Sequence, residues 1–264
     1  MAARPEDVQL VRALESDAPK LAQLCKKAFD TDVYVGAPGS SGGPPGYDSA
    51  EFQIRAMSWL HYYKIIRGER IVGGLLVDVR GRTHGVLERI FVDPDLHRIG
   101  IGTRAMETMF GLYPQVRLWT LGTPEWNVRT KSFYEKLGFV QVGWDHGEPG
   151  WRGRWYEKKL GEVSDVRTRI ADLVPGMDGV LVEGIVVEKG EPRSVRARRS
   201  GEMLAVANAV LRDESGSITL TLWTRQIEFV NTGQRIRVEN GFVSSFRGLK
   251  QLVSGQAGRL LALI

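Results

Sequence analysis

Apolar positions along the first 160 residues switch between two periods. Residues 8–14 alternate as a strand does; then Leu21, Leu24, Cys25 and Phe29 recur at helical spacing behind Ser16 and Asp17, which predict a helix cap. A second helix is predicted from about 49 to 60. Three strands follow at 61–66, 70–79 and 85–92, joined by glycine-bearing turns. A helix over about 102–112, a buried strand at 116–121, a helix over 127–137 and two strands at 139–144 and 154–159 complete the series. Between the first two helices, Ala37-Pro-Gly-Ser-Ser-Gly-Gly-Pro-Pro-Gly46 reads as a loop, because glycine and proline there break both periods.

The pattern changes after Leu160. A short polar linker, 161–166, leads into strand signals at 179–187, 204–212, 217–223, 234–239 and from 251 onward, with almost no helix between them. Five short strands in about 100 residues predict a small barrel. The expected division is therefore 1–160, linker 161–166, and 167–264.

Composition narrows the function classes. With 42% hydrophobic and 25% charged residues in 264, the chain has the material for two ordinary folded domains. One cysteine excludes an intramolecular disulfide and a Cys-rich zinc site, and no metal site is expected. No apolar run reaches the ~18 residues of a membrane span, and the opening Met-Ala-Ala-Arg stretch has no signal-peptide core. The expectation is a cytoplasmic protein without a membrane partner. A net charge of +5 permits acidic partners without demanding them.

Two segments carry chemistry in the first part. The strand Leu87-Glu-Arg-Ile-Phe-Val-Asp-Pro94 is followed by His97-Arg-Ile-Gly-Ile-Gly-Thr103, which opens a helix. Backbone N–H groups and the helix dipole at such a turn hold phosphate, and glycine lets the phosphate reach the backbone. The same glycines also suit a tight connection with no ligand. Farther on, Asn127-Val-Arg-Thr-Lys-Ser-Phe-Tyr-Glu-Lys-Leu-Gly-Phe139 stands at a helix. Together the two segments resemble the GNAT family of acetyl-CoA-dependent N-acetyltransferases, over about 8–160. That family carries a Q/R-x-x-G-x-G/A turn and a later N-x-x-x-x-x-F-Y-x-x-x-G-F helix. His97 departs from it, standing where Gln or Arg is usual; neutral histidine weakens phosphate contact, and Arg98 beside it offers compensation.

The resemblance implies acetyl-CoA as donor, with Ile90, Phe91 and Val92 on a splayed strand beside the pantetheine arm. It implies His97, Arg98, Ile99, Gly100, Ile101, Gly102 and Thr103 around the diphosphate, Asn127 at the pantetheine, and Tyr134 as proton donor to the departing sulfur. Glu88 is the candidate general base, against the plain alternative of a solvated strand charge. Asp30, Asp32, Asp48 and Glu51 are either an acidic lining for an amine acceptor of unknown identity or ordinary surface charges. Cys25, on an apolar helix face, is read as core.

In the second part, Leu173-Val-Pro-Gly-Met177, the stretch 213–223 and Ile236-Arg-Val-Glu-Asn-Gly-Phe-Val-Ser-Ser-Phe-Arg-Gly248 resemble the OB fold of archaeal-type single-stranded DNA-binding and replication protein A-like proteins, over about 167–263. Alternation puts Ile218, Leu220 and Leu222 on one face and Thr219, Thr221 and Trp223 on the other. An indole on the non-core face stacks bases or packs against another element. Phe242 and Phe246 match the resembled proteins' stacking positions, although a bulge at Asn240-Gly241 leaves their face open. Arg196, Arg198, Arg247 and Lys250 would follow a phosphate backbone of single-stranded DNA or RNA, with Arg193 and Arg199 near the first pair.

The expected whole is an α+β GNAT acyltransferase fold, a mixed sheet with flanking helices, followed by an all-β OB-fold barrel. The expected activity is N-acetyl transfer to a protein lysine, an N-terminus or a nucleic-acid-associated amine. The alternative is a single-strand-binding protein whose GNAT domain binds CoA without catalysis.

Overall fold

The computed structural model describes residues 8–39, 42–79, 83–147, 152–164, 166–196, 201–246, 248–255 and 258–264. The chain divides into two compact units, 1–140 with 156–161, and 141–155 with 162–264. Set beside the expected 1–160, linker 161–166 and 167–264, residues 141–155 go with the second unit, and the linker divides, 161 with the first and 162–166 with the second.

In the first unit, β1 (Val8–Arg12), β2 (His61–Arg67), β3 (Arg70–Asp78) and β4 (His84–Val92) pair antiparallel in that order, and β5 (Leu118–Pro124) joins β4 in parallel. The end of β7 (Gly153–Lys159), from Tyr156 on, lies beside β5. Both faces of this sheet are covered, which explains the near-continuous apolar run of β3. Leu75 and Val77 join Ile101, Ala105, Met106 and Met109 of α3 (Ile101–Leu112) and Tyr134 of α4 (Val128–Lys136) in one core. Leu76, on the other face, joins Leu21, Leu24 and Cys25 of α1 (Ala18–Asp30) and Ala56 of α2 (Ala50–Trp59). Cys25 is fully buried, and burial raises its thiol pKa to about 11, an unreactive core residue as expected. The cap of α1 differs from expectation. Asp17 sends its carboxylate to the Leu14 N–H (2.8 Å) and the Lys64 ammonium (2.8 Å), not to the helix, which starts at Ala18 with Pro19 in its first turn.

In the second unit, β8 (Val180–Lys189), β10 (Met203–Asp213), β11 (Gly216–Trp223), β13 (Leu249–Val253) and β12 (Arg235–Phe246) pair in succession, and β12 returns to β8. The ring is closed, a five-stranded barrel. It is filled by Val182, Ala209, Leu220, Leu222, Ile236, Val243 and Leu252, each essentially inaccessible. Three features differ from the five strands expected. The fourth strand continues to Phe246 through a bulge, with Asn240 at φ 54°. A short β9 (Arg193–Arg196) extends β10 as a hairpin, and the last stretch divides into β13 and β14 (Arg259–Leu263).

β14 runs against β12 on one side and against β6 (Val140–Asp145) on the other, with Leu261 opposite Asp145 and Leu263 opposite Gly143. That pairing carries 141–155 into this unit. Trp155 contributes more: its indole N–H donates to Glu239 (3.1 Å), a residue 1% exposed. Arg237, itself 2% exposed, bonds Glu239 (3.2 Å) and Glu183 (2.7 Å), and Arg235 and Arg167 also reach Glu183. Charges so deeply buried persist only because each is paired.

Candidate functional site

The register of β4 sets up the first site. Opposite β3, Leu76 faces Arg89 and Val77 faces Leu87, so Glu88 is an extra residue, a bulge. Pairing between β4 and β5 runs only from His84–Leu118 to Leu87–Leu121, yet both strands continue to Val92 and Pro124. Beyond Leu87 they part. Main-chain groups released there need another partner.

The parted end of β4 opens into a cleft of about 800 Å³. Its walls are β4 at 90–92, the turn residues His97, Arg98 and Gly100, the start of α3 at 101–103, and Tyr134 on α4. The turn is built for close approach. Arg98 and Gly100 both have left-handed backbones, φ 64° and 88°, a local cost of ~1 kcal/mol at the arginine. No side chain caps α3, whose first intrahelical bond runs from Arg104 N–H to the Gly100 carbonyl (2.9 Å). The N–H groups of 101–103 are thus left for a ligand. A Cβ on Gly102 would come within 3.3 Å of the Phe133 ring, so only glycine leaves this wall open without displacing it.

Tyr134 is 7% exposed and packs on Phe133, Phe139 and Tyr156. Burial, with the Asp32 charge adding to it, raises its phenol well above the ordinary range. It keeps its proton at any physiological pH. Asp32 lines the same cleft from the turn Thr31–Val35 and is 4% exposed. Burial raises its carboxyl above the usual range, against the pull of the paired Arg129. Arg129 also donates to the Thr31 hydroxyl (2.9 Å), tying α4 to that turn.

Several expected site residues sit elsewhere. Glu88 occupies the bulge and does not line the cleft. Ile99 points outward, 44% exposed. Asn127 is buried and caps α4, its side chain accepting from the Thr130 N–H (3.1 Å), so helix initiation explains it without a ligand. Of the four acids named from sequence, Asp30 pairs with Lys26 and Tyr47, and Glu51 accepts from Ser49, while Asp32 alone of the four lines the cleft. Arg129 gave no sequence signal; only proximity in the fold reveals it.

The second candidate site is an outer face of the barrel. Thr221, Val253 and Phe242 stand in one cross-strand row, and Thr219, Gln251 and Ser244 in the next. Phe246 lies opposite Leu249, and Trp223 is two residues beyond Thr221, on the same face. Phe242 and Phe246 are 41% and 54% exposed, and Trp223 is half-buried. The bulge at Asn240 resolves the open parity: Val243 turns inward and both phenylalanines outward. Lys250 falls on the opposite parity, its ammonium bonding the Ile170 (3.3 Å) and Leu173 (3.2 Å) carbonyls, and so leaves the aromatic face. Arg196 is exposed on the β9–β10 hairpin, and Arg198 and Arg247 lie outside the described residues.

The profile of the Acetyltransferase (GNAT) family matches residues 22–139, and an uncharacterised Bacillus subtilis protein, YrkN, is 31% identical over 135 residues, 50% of this chain and 72% of YrkN. The chain belongs to the GNAT family. That family uses acetyl-CoA. Its second unit carries an Ssb-like OB fold: the profile of the single-stranded DNA-binding Ssb-like OB fold matches residues 177–262. The single-stranded DNA-binding protein Ssb of Saccharolobus solfataricus is 28% identical over 92 residues, 35% of this chain, which spans 61% of that relative's length. Among solved structures, the PaiA N-acetyltransferase of Thermoplasma acidophilum in complex with coenzyme A is similar to the GNAT unit at 14% identity and a TM-score of 0.47, over 58% of this chain and 99% of that one. No helix of the described residues is long and apolar enough to cross a membrane, and they contain no cluster of metal-binding side chains.

Proposed function

We propose that the GNAT unit transfers an acetyl group from acetyl-CoA to an amine, and that the OB unit binds single-stranded nucleic acid. The observation that carries the first half is the meeting of two hydrogen-bonding edges in one cleft: β4 beyond Leu87, parted from β5 and with its Val92 carbonyl taken by His97, and the uncapped start of α3. The first suits an amide-bearing arm, the second a diphosphate. Bound there, acetyl-CoA supplies an activated acetyl thioester. Tyr134 holds a proton inside the cleft for the departing sulfur. Asp32 takes the place expected of Glu88, because burial makes its carboxylate a stronger proton acceptor than a solvated one. Residues 97–103 orient the donor by main-chain contacts, which supports transfer by placement.

The OB half rests on Phe242 and Phe246, exposed beside a polar strip of Thr219, Gln251 and Ser244. Flat rings on such a face stack bases without reading sequence. Held on nucleic acid, the OB unit raises the local concentration of amines associated with it, and we infer an acceptor among them.

Calorimetry with CoA tests the cleft, and thiol release from acetyl-CoA with lysine-bearing peptides, protein N-termini and nucleic-acid amines tests transfer. Binding without thiol release favours a CoA-binding unit that does not catalyse, the reading to which Glu88, outside the cleft, lends support. For the OB unit, single-stranded oligonucleotides are expected to quench tryptophan emission, less so at high salt. The double variant Phe242→Ala, Phe246→Ala is expected to lose ~1–3 kcal/mol per ring, about 5- to 150-fold in affinity each. Unchanged affinity in that variant would remove the aromatic face from recognition.

A further inference from the structure

We propose that His97 couples coenzyme binding to proton uptake, its ring carrying a second proton for the diphosphate while it remains anchored to β4. The proposal rests on the reading of the cleft as the acetyl-CoA site. Three observations lead to it. The Nε2 atom of His97 lies 2.9 Å from the Val92 carbonyl oxygen. A carbonyl only accepts, so Nε2 carries the hydrogen and the neutral ring has a bare lone pair on Nδ1. Among the described residues Nδ1 has no hydrogen-bond partner, and His97 lines the cleft on the turn whose backbone forms the phosphate cradle.

A bare lone pair set beside phosphate oxygens is an acceptor against acceptors. A proton on Nδ1 reverses this, giving a charge-assisted donor while Nε2 keeps Val92. The glutamine or arginine usual at this place in the family presents N–H groups at any pH; histidine does so only when protonated. The charged and titratable groups sharing the cleft are Arg98 on the same turn, Asp32 on the Thr31–Val35 turn, and Arg129, Tyr134 and Lys136 on α4. The three cations oppose a further positive charge in the empty cleft, whereas Asp32 favours it. An incoming diphosphate outweighs them by adding negative charge at the ring itself. Proton uptake therefore accompanies binding. The sign follows: the doubly protonated ring holds the diphosphate better than the neutral one, so affinity falls as pH rises.

The experiment is titration calorimetry of the full chain with 3′-dephospho-CoA, at about pH 6 and about pH 8, in two buffers of different ionisation enthalpy. This probe keeps the diphosphate and lacks the phosphomonoester, whose own ionisation near pH ~6 would mask the effect. Binding is expected to take up a fraction of one proton and to weaken several-fold to about tenfold from the lower pH to the higher. His97→Gln keeps an N–H for Val92 and removes the titrating ring. It is expected to bind with no proton uptake and with an affinity nearly independent of pH. Wild-type binding without proton uptake, or uptake that persists in His97→Gln, overturns the proposal and leaves the coenzyme site standing. Failure to bind the probe at either pH removes the site and the proposal together.

Discussion

Tyr134→Phe is expected to lower the acetyl-transfer rate by about 10²- to 10⁴-fold, the range associated with losing one positioned proton donor. The variant isolates the hydroxyl. The ring of Tyr134 packs 5.2 Å from Phe133 and 5.9 Å from Phe139, between centroids, and phenylalanine retains those contacts. CoA affinity, which the proposed site assigns to the turn and the parted strand, should therefore stay close to that of the unmodified chain, placing the loss in kcat instead of KM. Burial bears on how the residue works. Its phenol is held neutral far beyond neutral pH, so no pH step in the rate belongs to it, and any acid limb reports another group. Asp32, whose carboxyl is also raised, is the natural source: rate lost as pH falls would mark its protonation, and Asp32→Asn should abolish that limb. An unaltered kcat in Tyr134→Phe would exclude the tyrosine from the chemistry.

Arg237→Met is expected to destabilise the second unit by about 3–5 kcal/mol, seen as a lower urea midpoint with little change in slope. The cost arises from what remains. Arg237 is the cation between Glu183 and Glu239, and methionine leaves the two carboxylates buried without it. Replacing Glu183, Arg237 and Glu239 together with apolar residues of similar volume should cost less, because the charges left behind, Arg167 and Arg235, are the solvent-accessible ones. A small effect of the single variant would mean that water reaches the cluster. Trp155 belongs to the same network through its bond to Glu239, so a fragment beginning at 167 should be less stable than the full chain's second unit.

Periodicity made most elements legible. The two-residue period of β11 put Ile218, Leu220 and Leu222 in the core, where all three lie. The glycine turn before α3 was legible for a different reason: His97 to Thr103 are neighbours in sequence, so backbone geometry at a helix start follows from a short local string. Residues whose roles depend on distant partners were less so. Glu88 reads as a strand carboxylate beside the site, yet one extra residue in the β3–β4 register moves it out of the cleft lining. Lys250 reads as a basic neighbour of the aromatics, yet parity sends it to two carbonyls. Asn127 matched the family pattern, but its visible task is capping α4.

By itself the sequence determined the two fold classes, the glycine turn that opens α3 and the aromatic residues of the proposed stacking face, because each depends on local pattern. Tertiary structure alone decided that Asp32 shares the cleft with Tyr134, that Arg129 is its partner, and that 141–155 complete the barrel unit. These depend on contacts between segments far apart along the chain. Strand register, and the burial that raises the Asp32 and Tyr134 pKa values, exist only once the sheets have formed.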